Sequence, residues 1–299
     1  MKQDKTHIKA VDRGVVEVKI PMFGLHRIIP SLVTLMALGA GLLSILLVIR
    51  PENINSALVW EKAVILILVA AVLDMLDGAI ARLLKATSEI GAQLDSFSDF
   101  LAFGVAPSVV LYMWALDEAG KFGLMAVMVY VMATALRLAR FNVTSSQAKT
   151  KPEWARKYFE GVPSPIGAFL SLLPMAIWFQ APETFSELNF AVPLVALWII
   201  GVAALMVSRL PTFSSKQVRF HSKMAFPVLA VSCVLIAALF SAPWITFTVL
   251  SFLYLVSIPI SFMRFKKLKD LHAPEEDMTD LALGAIDVGV RSEDDADDV

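Results

Sequence analysis

The chain has 299 residues, of which 57% are hydrophobic and only 18% are charged, and its mean hydropathy is +0.69. Soluble domains typically carry about 25% charged residues, so the composition excludes an ordinary soluble protein and predicts a polytopic membrane protein. The single cysteine, Cys233, excludes a disulfide framework or a cysteine zinc site, and no two of the four histidines lie four residues apart.

The first 27 residues form a basic arm with six Lys/Arg and no continuous apolar stretch. This pattern differs from a cleavable signal peptide, whose centre is apolar. Residues 8–22 mix Val and Ile with charged side chains. We expect this cytosolic arm to contain an interfacial segment, with a plain solvated arm as the alternative.

Eight apolar segments follow, each near the length of about 20 residues that a transmembrane helix needs. Only Arg50, Lys62 and Lys121 of the 26 Lys/Arg fall on the membrane side opposite the N-terminus. The positive-inside rule therefore predicts that both termini lie in the cytosol. The predicted fold is all-α, a polytopic membrane bundle of about eight transmembrane helices over residues 28–49, 56–84, 94–116, 122–142, 164–180, 190–208, 224–240 and 244–264.

We divide the chain after the arm into three parts. Residues 28–220 form a membrane domain, and residues 221–268 form two accessory transmembrane helices. The segment 269–299 is an acidic tail, because eleven Asp/Glu follow Lys269 against one basic residue, Arg291. Such charge-rich segments bury too little apolar surface to fold, so we expect this tail to be disordered.

Charged residues interrupt the ends of the second and third spans. Asp77, Gly78 and Ala81 lie three, four and seven residues after Asp74, which places all four on one helical face. Asp95 and Asp99 are four residues apart on the next helix. Charges in a membrane segment are costly and usually functional, and clustered carboxylates suit Mg²⁺, Mn²⁺ or Ca²⁺. The alternative is an ion-pair network around Arg82, but four acids against one arginine leave excess negative charge.

The pattern Asp77-Gly78-x2-Ala81-Arg82-x8-Gly91-x3-Asp95-x3-Asp99 resembles the signature of the CDP-alcohol phosphatidyltransferases, and Asp74 fits an aspartate that normally precedes it. The resemblance implies a six-helix catalytic core, a divalent-cation site and transfer of a phosphatidyl group from a CDP-linked lipid to an alcohol, releasing CMP. It also implies that Asp74, Asp77 and Asp95 bind metal, and that Asp99 is the general base on or near a second metal.

Other residues of the motif are expected to bind the CDP-lipid together with Asp74. Gly78 and Ala81 lack bulk where a nucleotide approaches the helix, and Arg82 offers a forked donor to phosphate oxygens. The first span opens with Pro30-Ser31-Leu-Val-Thr34, where the family often has Pro-Asn-x-x-Thr. Ser31 and Thr34 are therefore candidate nucleotide contacts, although Thr34 can equally bond its own helix backbone.

Two further segments bear on the acceptor alcohol. Arg137-Leu-Ala-Arg140-Phe141-Asn142 and Gly161-Val-Pro163-Ser-Pro165 are similar to the phosphatidylserine synthases of this superfamily, as is the run from Ser208 to Lys216. L-Serine carries a carboxylate, which Arg137 and Arg140 can bind from one helix face. The predicted serine-binding set is Arg137, Arg140 and Asn142, with positive-inside anchoring as the alternative for the two arginines.

The expected reaction is a single in-line displacement, because no nucleophilic His or Cys lies near the motif. The expected partners are CDP-diacylglycerol, L-serine, the lipid bilayer of a bacterial inner membrane and a second copy of the chain, with no nucleic acid. Glycerol phosphate, inositol phosphate and choline are alternative acceptors. A cation transporter is a more distant alternative, since it predicts a path of acids through the outer half of spans two and three, where only Glu61 lies, near the outer end of span two. A catalytically dead scaffold is at odds with the full aspartate set.

Overall fold

The computed structural model describes residues 25–50, 57–86, 88–146, 158–183, 191–213 and 225–294. The predicted interfacial segment at residues 8–22 lies outside the described residues. Eight apolar helices dominate the described part, which confirms the all-α membrane bundle. They are α1 (Leu25–Val48), α2 (Ala57–Leu83), α3 (Glu89–Trp114), α4 (Lys121–Ser146), α5 (Ser164–Gln180), α6 (Ala191–Val207), α7 (Ala225–Ser241) and α8 (Pro243–Asp294).

Five of these helices are long and apolar enough to cross a membrane: α1 to α4 and residues Pro243–Leu268 of α8. The remaining three are shorter apolar helices. Large apolar side chains stay exposed on the outer faces, for example Met36 on α1 and Met75 on α2. That distribution suits a bundle whose outer surface is solvated by lipid rather than by water.

The first three helices pack together and bring their polar ends close. Helix α1 lies along α2, and the buried Ser44 hydroxyl donates to the carbonyl of Ala63 on α2 at 2.8 Å. Helix α3 begins at a Ser88 cap, whose side chain accepts a hydrogen bond from the Gly91 N–H at 3.0 Å. Such a cap satisfies one of the free N–H groups of a helix start. It thereby fixes where α3 begins relative to its aspartates.

A wide π-helical turn, Phe100–Val105, interrupts α3 directly after Asp99. Pro107 follows and has no N–H to give to the carbonyl of Phe103, four residues earlier. The buried Tyr130 hydroxyl of α4 donates to that carbonyl at 2.9 Å. Turns of this kind frequently occur at functional sites, and here α4 supplies the missing donor.

Helices α4, α5 and α6 form the centre of the core, with Tyr130, Leu170, Met175, Ile199 and Met206 among the fully buried side chains. The segments that lead into α5 and out of α6 pair as a short antiparallel ribbon of β1 (Tyr158–Glu160) and β2 (Pro211–Phe213). Both segments lie between predicted spans. Gly161 follows β1 with φ +76°, and a Cβ there would lie 2.6 Å from the Met206 carbonyl oxygen. The ribbon therefore needs glycine at this turn.

The last two helices differ in how they pack. Helix α7 contacts α8, whereas α8 packs against α5 and β2. Phe247 of α8 stacks on Phe169 of α5 with ring centroids 5.3 Å apart. Gln180 at the end of α5 donates to the Thr248 hydroxyl of α8 at 2.9 Å. Helix α8 is thus joined to the core that contains the candidate site.

Helix α8 extends beyond its membrane-spanning part. Its backbone is helical from Pro243 through Asp294, and the run Leu281-Ala-Leu contains good helix formers. The expected disorder of the acidic tail, residues 269–299, stays a prediction.

Candidate active site

Three aspartates from two neighbouring helices meet at one point. Asp74 of α2 and Asp95 and Asp99 of α3 each offer a carboxylate oxygen, and these oxygens all lie within 4.8 Å of one another. All three side chains are partly buried. The helical spacing that predicted this cluster therefore corresponds to a real convergence in space.

Asp77, the fourth aspartate of the motif, lies beside the cluster but has a partner of its own. Its side chain is only 5% exposed and accepts a hydrogen bond from the Thr34 hydroxyl at 2.5 Å. The Thr34 hydroxyl also lies 3.1 Å from the carbonyl oxygen of Pro30. Asp77 still interacts electrostatically with Asp74 and Asp95. Thr34 therefore orients the Asp77 carboxylate. The metal-ligand role of Asp77 stays a prediction.

The charge and the hydrogen bonding of this cluster fit a hard cation. Three carboxylates repel each other when they are all ionised, and a divalent cation relieves that repulsion. Within the described residues, Asp99 Oδ1 is buried and has no hydrogen-bond partner. Buried polar atoms rarely remain unpaired in folded proteins. The donor set of carboxylate oxygens is the set that Mg²⁺, Mn²⁺ and Ca²⁺ prefer.

The small residues of the motif lie in different local surroundings. A Cβ on Gly78 would lie 3.5 Å from Arg82 Nη1, so the exposed arginine folds back over this glycine. A Cβ on Gly91 would lie 2.9 Å from the Ser88 hydroxyl that caps α3 and 3.9 Å from the Ser31 hydroxyl. Ser31 is therefore close to the start of α3. Ala81 is half-buried one turn after Asp77.

The predicted serine-binding residues fall in three different environments at the end of α4. Arg137 is only 9% exposed, donates from Nη1 to the Ser164 hydroxyl of α5 at 2.9 Å, and interacts electrostatically with Asp99. Arg140 donates from Nη1 to the carbonyl of Val207, at the end of α6, at 2.7 Å. The structure thus brings Arg137, rather than Arg140, to the aspartates.

Asn142 is exposed, and its side-chain N–H group donates to the Ser96 hydroxyl of α3 at 3.0 Å. This contact ties the end of α4 to the helix that carries Asp95 and Asp99. Arg140 and Asn142 therefore both join α4 to its neighbours at the level of the site, and their contact with serine stays a prediction.

Three side chains near the site were not identified from the sequence. The buried Ser98 hydroxyl donates to the carbonyl of Thr34 at 3.2 Å and joins α3 to α1. Ser164 holds Arg137, and Tyr254 of α8 interacts electrostatically with the same arginine. Ser164 lies in the segment 161–165, which is similar to the phosphatidylserine synthases. The only sequence signal for Tyr254 is its place in the seven-residue repeat of the buried α8 face.

Two family models and several known proteins are similar to this chain. The family model described as CDP-alcohol phosphatidyltransferase matches residues 27–210, and the one described as CDP-alcohol phosphatidyltransferase 2 matches residues 223–259. A Mycobacterium leprae protein named CDP-diacylglycerol–serine O-phosphatidyltransferase is 34% identical over 79% of this chain and 74% of its own length. Proteins of the same name from Helicobacter pylori and Bacillus subtilis are 30% and 33% identical, over 76% and 61% of this chain and 87% and 88% of their own lengths.

Proposed function

The chain belongs to the CDP-alcohol phosphatidyltransferase family, and from this premise we propose that it transfers the phosphatidyl group of CDP-diacylglycerol to the hydroxyl of L-serine. The products are phosphatidylserine and CMP. The observation that carries the proposal is the placement of a buried arginine, Arg137, beside the aspartate cluster. The name shared by the mycobacterial, Helicobacter and Bacillus relatives supports serine as the acceptor.

The proposed metal centre uses Asp74, Asp95 and Asp99, with Asp77 at its edge. Mg²⁺ or Mn²⁺ is the proposed cation, and Ca²⁺ is a weaker fit to phosphate chemistry. When bound, such a cation neutralises charge on the pyrophosphate of the CDP-lipid. Thr34 holds one oxygen of Asp77 through its hydroxyl. In this proposal Thr34 acts on the nucleotide site through Asp77, and the contacts of Ser31 and Thr34 with the nucleotide itself stay predictions.

Asp99 is the proposed general base. Its Oδ1 atom is buried and has no hydrogen-bond partner in the described part of the chain, so it can accept a hydrogen bond from a substrate hydroxyl. The serine oxygen then bonds to the lipid-bearing phosphorus while the bond from that phosphorus to the oxygen of CMP breaks. The proton of the hydroxyl passes to Asp99. No covalent enzyme intermediate is needed for this displacement.

The proposed CDP-lipid contacts are Asp74, Gly78, Ala81 and Arg82 at the end of α2. Gly78 leaves space over the helix, and Arg82 folds across that space with its guanidinium exposed. An exposed guanidinium can reach phosphate oxygens from this position. Opposite this group, we propose that Arg137 binds the serine carboxylate, because its charge lies close to the base that must receive the serine hydroxyl.

The proposed orientation places the aspartate cluster at the cytosolic face, with both termini in the cytosol of a bacterial inner membrane. This follows from the excess of Lys/Arg on one side of the spans. A homodimer stays an expectation without a supporting contact. Labelling of single cysteines placed in the loops, for example at Gly120, measures the orientation in intact cells.

The test is an assay of the purified protein with CDP-diacylglycerol and Mn²⁺ or Mg²⁺. The acceptor panel contains L-serine, glycerol phosphate, inositol phosphate and choline, and the readouts are the lipid product and released CMP. We expect serine to be the preferred acceptor. Preference for another alcohol contradicts the serine assignment but leaves the phosphatidyl transfer intact, and absence of CMP release with every acceptor contradicts the enzyme itself.

A further inference from the structure

The buried residues in the membrane-spanning part of α8 include a set that lies on one face of the helix and follows a seven-residue repeat. Phe247, Ser251, Ile258 and Ser261 are all less than 9% exposed, and they follow one another at steps of four, seven and three residues. Tyr254 falls between Ser251 and Ile258 on the same face. The helix thus directs a tyrosine toward α5 and β2, with which it packs.

The hydroxyl of Tyr254 has polar surroundings. It lies beside the Thr212 side chain of β2, but Thr212 donates its own hydrogen bond to the carbonyl of Gly161 at 2.9 Å. The tyrosine oxygen is buried and lacks a partner within the described residues. The guanidinium of Arg137 interacts with it electrostatically.

Unpaired buried atoms occur on Arg137 and on two groups that interact with it electrostatically. Four buried side-chain atoms of the described residues lack a hydrogen-bond partner, and three of them are Asp99 Oδ1, Arg137 Nε and Tyr254 Oη. Arg137 interacts electrostatically with both Asp99 and Tyr254. The fourth atom, Ser261 Oγ, lies about two turns further along α8. Because leaving such atoms unpaired is costly, their clustering indicates a place for a polar ligand.

The hydrogen-bonding capacities of Asp99, Arg137 and Tyr254 indicate which polar groups a ligand needs. Asp99 can accept a hydrogen bond when ionised, whereas Arg137 Nε and the Tyr254 hydroxyl can both donate one. A ligand that fits all three has a hydroxyl at one end and an anionic oxygen a few bonds away. L-Serine has this pattern, with its hydroxyl as donor and its carboxylate as acceptor.

We propose that Tyr254 is an acceptor-binding residue, whose hydroxyl donates to the serine carboxylate that Arg137 binds. The inference rests on the proposed function and extends it to α8, outside residues 27–210 of the first family model and within residues 223–259 of the second. Helix α8 then contributes to acceptor specificity and is more than an accessory span.

The test is Tyr254→Phe, which removes one oxygen and keeps the ring that packs in the core. We expect the KM for serine to rise by about tenfold or more, as for loss of a hydrogen bond to a charged group. The KM for CDP-diacylglycerol and the thermal stability stay near wild type. Serine methyl ester, which lacks the carboxylate charge, is expected to lose much less than serine does.

The matched control is Tyr112→Phe, because the Tyr112 hydroxyl donates to Asp117 at the exposed opposite end of α3 at 2.9 Å. This control should leave both KM values unchanged. An unchanged serine KM in Tyr254→Phe overturns the inference, as does a rise confined to the KM for CDP-diacylglycerol. The proposed function fails in a different measurement, namely the acceptor preference of the wild type.

Discussion

The two sides of the candidate site are built from different parts of the chain. On one side, three carboxylates come from the consecutive helices α2 and α3, and Thr34 of α1 holds the fourth. On the other side, Arg137 comes from α4, Ser164 from α5 and Tyr254 from α8. We call the first group, Asp74, Asp77, Asp95 and Asp99, the aspartate side, and the second group the arginine side.

This difference separates two tasks. The aspartate side has excess negative charge and suits a divalent cation that neutralises a pyrophosphate. The arginine side has unused donors and suits a substrate group that changes with the acceptor. Mutations on the aspartate side should therefore stop the reaction, whereas mutations on the arginine side should change the use of serine.

Removing the metal is the change with the largest expected effect. EDTA should abolish transfer, and Mg²⁺ or Mn²⁺ alone should restore it, because the clustered carboxylates of Asp74, Asp95 and Asp99 otherwise repel the pyrophosphate. Asp74→Asn and Asp95→Asn should raise the metal concentration needed for half-maximal activity. Asp117→Asn, just beyond the opposite end of α3, is the matched control. Full activity in the presence of a chelator is incompatible with the metal centre.

Asp99→Asn should reduce turnover by roughly 10²-fold or more, as for loss of a general base. An amide keeps the shape of the side chain but accepts no proton at neutral pH. We therefore expect CDP-diacylglycerol binding, measured by equilibrium binding, to stay close to wild type. Turnover close to wild type would remove Asp99 from the role of base and leave only its place in the metal cluster.

Arg137→Lys tests whether the arginine side binds the serine carboxylate. An ammonium cannot reproduce the planar fork that binds a carboxylate, so the KM for serine should rise by about tenfold or more while the KM for the CDP-lipid changes little. Arg140→Lys is the comparison, since Arg140 donates to the carbonyl of Val207 and should affect serine less. If Arg137→Lys raises only the KM for the CDP-lipid, Arg137 binds phosphate and the two sides are not separate.

Sequence reasoning reached the aspartate side and only part of the arginine side. Asp74 and Asp95 lie near facing ends of consecutive helices, so a local helical pattern was enough to place them together. The contact of Arg137 with Ser164 joins residues 27 positions apart, and Tyr254 lies more than a hundred positions away. No local periodicity encodes such contacts. The hydrogen bond from Thr34 to Asp77 was also not predictable, because it depends on how α1 packs on α2.

The fold shows the same limit. The eight apolar segments were predictable because hydropathy and length follow directly from the bilayer. The ribbon of β1 and β2 was not predictable, since it pairs two three-residue segments separated by two helices. The π-helical turn after Asp99 was also missed, because Gly104 and Pro107 are compatible with an ordinary helix start or kink. Tertiary contacts from α4 decide its form.

Tyr130→Phe has the smallest expected effect on activity and tests whether the two sides are mechanically linked through that turn. The Tyr130 hydroxyl donates to the carbonyl of Phe103, which Pro107 leaves without its usual donor. Its loss leaves a buried acceptor unpaired and should lower stability by about 1–2 kcal/mol. Thermal unfolding in detergent measures this loss, with Tyr112→Phe as the exposed control. Turnover and the serine KM should stay near wild type, because Ser98 holds the adjoining part of α3 to the Thr34 carbonyl. A large fall in turnover would instead show that α4 sets the position of Asp99 through the π-helical turn, and the division into two independent sides would then be wrong.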